Sequence, residues 1–316
     1  MRSQASVRKL AYVVHYRAHR HALIGLRSRQ RQRIDAIGAE LASPAGEVRM
    51  SAQAPPTPVV LIHGLWMHSS GWENWVELFD AAGYPAIAPR WPGEAATVLE
   101  TRRHPEAMND YRIGAIAEHY QAIIADLPAT PVVVGHCVGG LIAQRLLGRG
   151  FARAAVAMEP APFPGVLRVS LAQTRIAVKS CGQRALRTKT WTHTAGSYHH
   201  NVASALSRAE SDRLFHAFSI PAPAVALRQA MLANLAIHRD TTVDTRSERG
   251  PLLMIAGSTD RTVPAAAVYS AYKIQRRNSG VTQLAIFDRR GHSLPIDHGW
   301  REIADTVVEF LGHQGL

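Results

Sequence analysis

From Pro58 onward the chain alternates short apolar runs with amphipathic stretches. Residues 59–63 (Val-Val-Leu-Ile-His) are apolar up to the last position, as in a strand buried on both faces of a parallel sheet. Residues 72–82 then carry helical spacing and end at Gly83, a residue suited to a helix C-terminal cap. Residues 86–88 predict a short strand, stopped by Pro89 and Pro92. Residues 110–126 place Ile113, Ile116, Tyr120, Ile123 and Ile124 on one helical face. Further strands are predicted at 131–134, 154–158, 252–256 and 284–287, and further helices at 141–147 and 300–311. Strands alternating with helices across short turns predict an α/β fold with a doubly wound, mostly parallel sheet.

One stretch breaks the rhythm. Residues 158–252 hold no convincing strand, a span well beyond ordinary connection lengths. Ser207 and Glu210 are spaced as a capping box that opens a helix through Phe218, and 224–236 is a second helical pattern. The expected organisation is a basic N-terminal extension over 1–50 and a core formed by 51–160 and 251–316. A helical lid over 161–250 would cover the sheet's C-terminal edge, where open α/β sheets place their sites.

Composition narrows the classes. A hydrophobic fraction of 47% in 316 residues supports a sizeable core. No apolar run approaches the roughly 18 residues that cross a bilayer, so no transmembrane segment is expected. The N-terminus lacks the apolar run and small-residue cleavage site of a secretory signal. Two cysteines, Cys137 and Cys181, make neither a disulfide framework nor a CxxC pair, which points to the reducing cytoplasm. Residues 1–50 carry a net charge of +7 out of the chain's +12, so the basicity belongs to the extension and not to the body. That pattern predicts a solvated arm and no specific nucleic-acid partner.

Three short segments carry candidate chemistry. Gly135-His136-Cys137-Val138-Gly139-Gly140 lies between a predicted strand and a predicted helix. A sharp turn there exposes the middle side chain, and flanking glycines let the turn pack. Gly257-Ser258-Thr259-Asp260 follows another strand, and Gly291-His292-Ser293 follows the last one. Nucleophile, acid and histidine thus occur in the chain order Cys137, Asp260, His292.

With those motifs in those contexts, the chain from Val59 to Leu311 resembles the α/β-hydrolase superfamily, in its lid-bearing branch with His63-Gly64 after the first core strand. The resemblance implies that Cys137 attacks, His292 is the general base and Asp260 orients His292. It implies an oxyanion hole from the N–H groups of Leu65 and Val138, with Trp66 as a substitute for Leu65. Glu159 is a rival acid, since some relatives place the acid after the strand that ends here at Met158. Trp66 is the expected substrate-pocket residue, and Cys181 a packing residue of the lid. His63 and His136 are expected to pack or hydrogen-bond locally.

Relatives generally carry serine at the position of Cys137, although dienelactone hydrolases and polyhydroxyalkanoate synthases are similar in using cysteine. A helix N-terminus and an adjacent imidazolium both favour a thiolate. Because thiolate leaves more readily than alkoxide, attack on an alkyl ester tends to revert, whereas attack on a thioester, lactone or aryl ester goes forward. The leading expectation is a hydrolase of a carboxylic ester, lactone or thioester, acting on a small-molecule acyl substrate through an acyl-cysteine. An acyltransferase or cyclase is the alternative, and an impaired or non-catalytic binding protein a third. No cofactor or metal is expected: His193, His199 and His200 lack a carboxylate or cysteine at ligand spacing and are expected as surface or lid histidines.

Overall fold

A computed structural model of the chain describes residues 13–16, 56–166, 189–233 and 239–316. Cys181 and the end of the 224–236 helical pattern lie outside them. In chain order the first elements are β1 (Val13–Tyr16), β2 (Val59–Ile62), α1 (Glu73–Ala81), β3 (Ala86–Ile87), α2 (Val98–Arg103) and α3 (Ile113–Ala125). β4 (Val132–His136), α4 (Val138–Gly148) and β5 (Ala154–Met158) follow. Next come β6 (Thr190–Trp191), α5 (Ala195–Asn201), α6 (Arg208–Phe218), β7 (Ala222–Pro223) and α7 (Ala224–Met231). The chain closes with β8 (Leu252–Gly257), α8 (Ala265–Gln275), β9 (Thr282–Phe287) and α9 (Trp300–His313).

The main sheet has the order β1-β9-β8-β5-β4-β2-β3, and every pairing in it is parallel. Its central strands are apolar throughout because helices cover both faces. Val59 and Leu61 of β2 join a core with Trp75 and Phe79 of α1 and Val307 of α9. Val60 and Ile62, one residue out of phase, join the opposite core with Ile116 of α3, Leu141 of α4 and Val268 of α8. All four β2 side chains are fully buried. Each such aliphatic group contributes about 1.5–3 kcal/mol of transfer free energy, which fixes both faces of the strand. The register aligns Ile62 with Gly135 and His136 with Met158, so β2, β4 and β5 end at one level, where the site lies.

Several elements differ from the sequence expectation, among them α2, α5 and the short antiparallel pair β6–β7, which lies in the 158–252 stretch where no strand is predicted. The 1–50 extension is not without sheet structure, because Val13–Tyr16 pairs with Leu284–Phe287 as an edge strand. Four residues inside an arginine-rich arm give too short a pattern to stand out from their surroundings. Helix α4 starts at Val138 rather than 141, with glycines in its first turn. The glycines lower helix propensity but are required there, since a Cβ on Gly139 would meet Ile62 O at 2.2 Å. Helix α8 fills the 264–284 gap, where no element was predicted.

Candidate active site

Strand β4 runs into helix α4 through a single residue, Cys137, whose φ of 56° and ψ of −117° lie in a region that non-glycine residues rarely enter. Such a conformation costs on the order of 1–3 kcal/mol and persists only where its surroundings over-determine it. Here they do. Cys137 N donates to Met158 O at 2.9 Å, while Cys137 O accepts from Leu141 N and Ala161 N at 3.1 and 2.9 Å. On Gly135 a Cβ would meet Gly139 O at 2.1 Å, so the turn closes only with glycine at that position. The thiol thus stands between the end of a strand and the N-terminus of a helix, and it is free and buried.

His292 comes from the loop after β9, and its Nδ1 lies 2.7 Å from Asp260 Oδ2. The turn after β8 that carries Asp260 is tied to the histidine loop by Thr259 N and Thr259 Oγ1, which both donate to Arg290 O. The other oxygen of Asp260, Oδ1, accepts from Thr262 N at 2.7 Å and from Val263 N at 3.0 Å. With Nδ1 engaged, the buried Nε2 of His292 has no hydrogen-bond partner among the described residues. Burial disfavours the charged imidazole, but the charges of Asp260 and Cys137 and their hydrogen bonding outweigh it and hold the His292 pKa well above the ordinary value. The Cys137 side chain is therefore an electrostatic neighbour of His292 although no well-aligned hydrogen bond joins them.

A second carboxyl reaches the same ring. Glu159, at the end of β5 with φ 44°, accepts from Gly257 N through Oε1 at 3.1 Å. Its Oε2 lies 3.4 Å from His292 Nδ1 and 3.5 Å from His136 Nε2. Burial, and then the charge of Asp260, push its pKa well above the ordinary carboxyl value. His136 is pushed the other way by burial and by the charge of His292. His136, Glu159 and His292 could together hold a metal ion, as their donor atoms lie within 4.8 Å of one another.

The loop after β2 carries Leu65 and Trp66, and a buried acid organises it. Glu94 Oε2 lies 2.7 Å from His63 Nε2, close but off the hydrogen-bond line. Its Oε1 accepts from Ser69 N at 2.8 Å and lies 3.3 Å from His68 Nε2. Burial alone would raise the Glu94 pKa, yet the close contact with His63 and its charge, together with the hydrogen bond from Ser69, lower it to about 2. His63 also stacks on Trp91 at 4.7 Å. Nothing in the sequence around Glu94 marked it, since its role depends on a loop 25 residues away.

Leu65, Trp66, Met67, Tyr198, His292 and Ile296 line a narrow cleft beside the histidine. Trp66, with φ 62°, packs edge-on against Trp191 and His193. His193, within the 161–250 segment, is thus buried against Trp66 of the cleft lining. His200, by contrast, lies at an exposed contact 3.1 Å from Arg261 Nη1.

The structure therefore brings Cys137, His292, Asp260, Glu159 and the 64–67 loop into one place. Comparison with solved structures finds the same fold in several enzymes of low sequence identity. A monoacylglycerol lipase from Paleococcus ferrophilus is 20% identical, with a TM-score of 0.56 over 82% of this chain and 96% of that one. An extracellular α/β-hydrolase from a Paenibacillus species is 17% identical, with a TM-score of 0.58 over 80% and 98%. A methylesterase from Arabidopsis is 15% identical, with a TM-score of 0.55 over 81% and 99%. No curated protein matches the sequence. Residues 59–306 match the alpha/beta hydrolase family, spanning both halves of the sheet and every group of the site, so the chain belongs to that family and is a hydrolase-type enzyme.

Proposed function

We propose that the chain cleaves a small carboxylic ester, lactone or thioester through a covalent acyl-cysteine on Cys137. The observation that carries this reading is the buried line from Asp260 through His292 Nδ1, with Nε2 unpartnered and Cys137 at the strained strand–helix junction. Sγ attacks the carbonyl carbon, and His292 Nε2 holds the thiol proton. As the tetrahedral intermediate collapses, the bond to the leaving group breaks and Nε2–H protonates that group. Water then attacks the thioester, His292 takes its proton, and the thiol is restored. Asp260 keeps Nδ1 as the donor and stabilises the imidazolium, as in serine triads.

Val138 is the first residue of α4, so its N–H has no partner within the helix and sits at the positive end of the helix dipole. Together with Leu65 N–H it forms the oxyanion hole of this mechanism, and the Glu94 network holds the Leu65 loop in register. Helices of the 161–250 segment act as a lid. A second reading, transfer of the acyl group to an amine, thiol or carbon nucleophile, is favoured by burial: Cys137 is 3% and His292 2% exposed, so bulk water is largely shut out.

Intact-mass measurement after exposure to short acyl thioesters and aryl esters tests both. The expected result is a single acyl adduct that digestion maps to Cys137 and that Cys137→Ala abolishes. Clearance by water supports hydrolysis, and clearance only by an added amine or thiol supports transfer. Undiminished turnover by Cys137→Ala overturns the mechanism. Cys137→Ser is expected to lose most thioester or lactone turnover, because exchanging the longer C–S bond for C–O moves the attacking atom by a fraction of an ångström.

A further inference from the structure

His193 lies outside the Cys137–His292–Asp260 line, yet it is 5% exposed and its buried Nε2 has no hydrogen-bond partner among the described residues. Its ring is clamped, with centroids 4.5 Å from both Trp66 and Trp191. Trp66 immediately follows Leu65 and lines the cleft beside His292. Nδ1 lies 3.0 Å from Ser197 Oγ, inside the capping box that opens α5. A buried polar atom left bare costs on the order of 1–3 kcal/mol, and such atoms in native proteins usually mark an occupant.

The hydrogen-bond pattern decides what Nε2 offers. Ser197 Oγ accepts from Thr194 N at 2.9 Å and donates to Thr194 O at 3.1 Å. The remaining lone pair of Oγ is reached by His193 Nδ1 at 3.0 Å, closer than the Thr194 hydroxyl at 3.3 Å, so it takes the N–H of His193. The other tautomer gives up the bond from Ser197 Oγ to Thr194 O and leaves a buried N–H orphaned, which is rarer in proteins than an orphaned acceptor. His193 also stays uncharged at ordinary pH, because burial and then the charge of His292 lower its pKa to about 3. Nε2 is therefore a fixed, neutral acceptor in an aromatic wall.

We propose that His193 Nε2 is a specificity determinant that accepts a hydrogen bond from a hydroxyl or amide N–H on the substrate, so that the preferred substrates carry such a donor near the reacting carbonyl. This rests on the acyl-cysteine reading above and adds to it the substrate class. A site built around a polar partner discriminates strongly against the analogue that lacks it, because the buried group is then left unpaired.

Two matched pairs separate the side on which the donor lies. Butyryl and 3-hydroxybutyryl N-acetylcysteamine thioesters vary the acyl group, and phenyl acetate and 3-hydroxyphenyl acetate vary the leaving group. The expected result is a kcat/KM ratio of about tenfold or more for the hydroxylated member of one pair. His193→Phe, which keeps a ring between the two tryptophans, is expected to bring that ratio near one. His193→Gln, which keeps an acceptor, is expected to retain part of it. Inhibition by 3-hydroxybutyramide against butyramide, and by resorcinol against phenol, gives the same ratio without turnover. Ratios near one in both the turnover and the inhibition pairs overturn the proposal. A ratio unchanged in a folded His193→Phe protein does so too. Hydroxyl-selective inhibition without any adduct on Cys137 would support the His193 site while overturning the acyl-cysteine mechanism.

Discussion

Two glutamates, Glu94 and Glu159, are both buried, each lies beside histidines, and their pKa values are driven in opposite directions. Glu94 has His63 and His68 against its two oxygens, backbone donors from Ser69 and Trp91, and no second carboxyl among its causes. Its charge is well solvated by the protein itself. Glu159 has one backbone donor, from Gly257, and shares His292 with Asp260, which is closer to the ring and takes two further N–H bonds through Oδ1. One imidazole cannot compensate two buried negative charges, so the carboxyl with fewer donors keeps its proton. Burial alone therefore decides nothing about a carboxyl's charge. The number of donors and the nearest like charge decide it.

The largest test of that comparison is catalytic. Asp260→Asn is expected to lower turnover by ~10²–10⁴, as loss of the orienting carboxylate does in serine triads. Glu159→Gln, which mimics the protonated form, is expected to cost less than about tenfold by the same logic. Steady-state kcat of both variants on one thioester measures this, and a more damaging Glu159→Gln would move the acid to the end of β5.

A smaller effect, on stability, concerns Glu94. Replacing it with alanine leaves His63 and the Ser69 N–H buried and unpaired, and is expected to cost about 3–5 kcal/mol in denaturant unfolding. A carboxyl whose folded pKa is depressed contributes stability above its unfolded value, near 4.5, and loses it as pH falls toward about 2. The gap between wild type and Glu94→Gln, which cannot titrate, should accordingly narrow over that window. A gap that is flat from pH 5 to pH 2 would show that folding does not depress the Glu94 pKa.

The smallest effect has the opposite sign. Glu159 keeps its proton in the folded state while the unfolded chain releases one above about pH 4.5, so folding loses up to about 1.4 kcal/mol per pH unit from there until the folded pKa is reached. Glu159→Gln removes that loss and should gain Tm over wild type as pH rises from 4 to 8. A difference in Tm that does not change with pH would break the contrast with Glu94.

Much of this site was legible before the fold was known. The Gly-x-Cys-x-Gly turn, Asp260 and His292 each stand directly after a strand whose apolar run is unmistakable, and local chain geometry carries them to one sheet edge. The oxyanion loop was legible through His63-Gly64, but not what holds it. Glu94 needs His63 and His68 from a distant loop before its burial makes sense. His193 reads as an ordinary polar residue until Trp66 and Trp191 close around it. Helix α8 and strand β1 went unread for different reasons. The first lacks a strong polar–apolar contrast, and the second is only four residues long.

Alone, the sequence determined the layers of the fold, the order of Cys137, Asp260 and His292 after their strands, and the cysteine at the strand–helix junction. Those are properties of periodicity and of adjacent residues, which short-range sterics translate directly into geometry. Only the tertiary structure decided which of two acids is pushed toward its neutral form beside His292, which acid braces the Leu65 loop, and which histidine is buried with a bare nitrogen against Trp66. Each of those depends on the balance of desolvation, donor count and neighbouring charge at a buried point. Residues far apart in the chain meet at that point, and no local pattern records the balance they strike there.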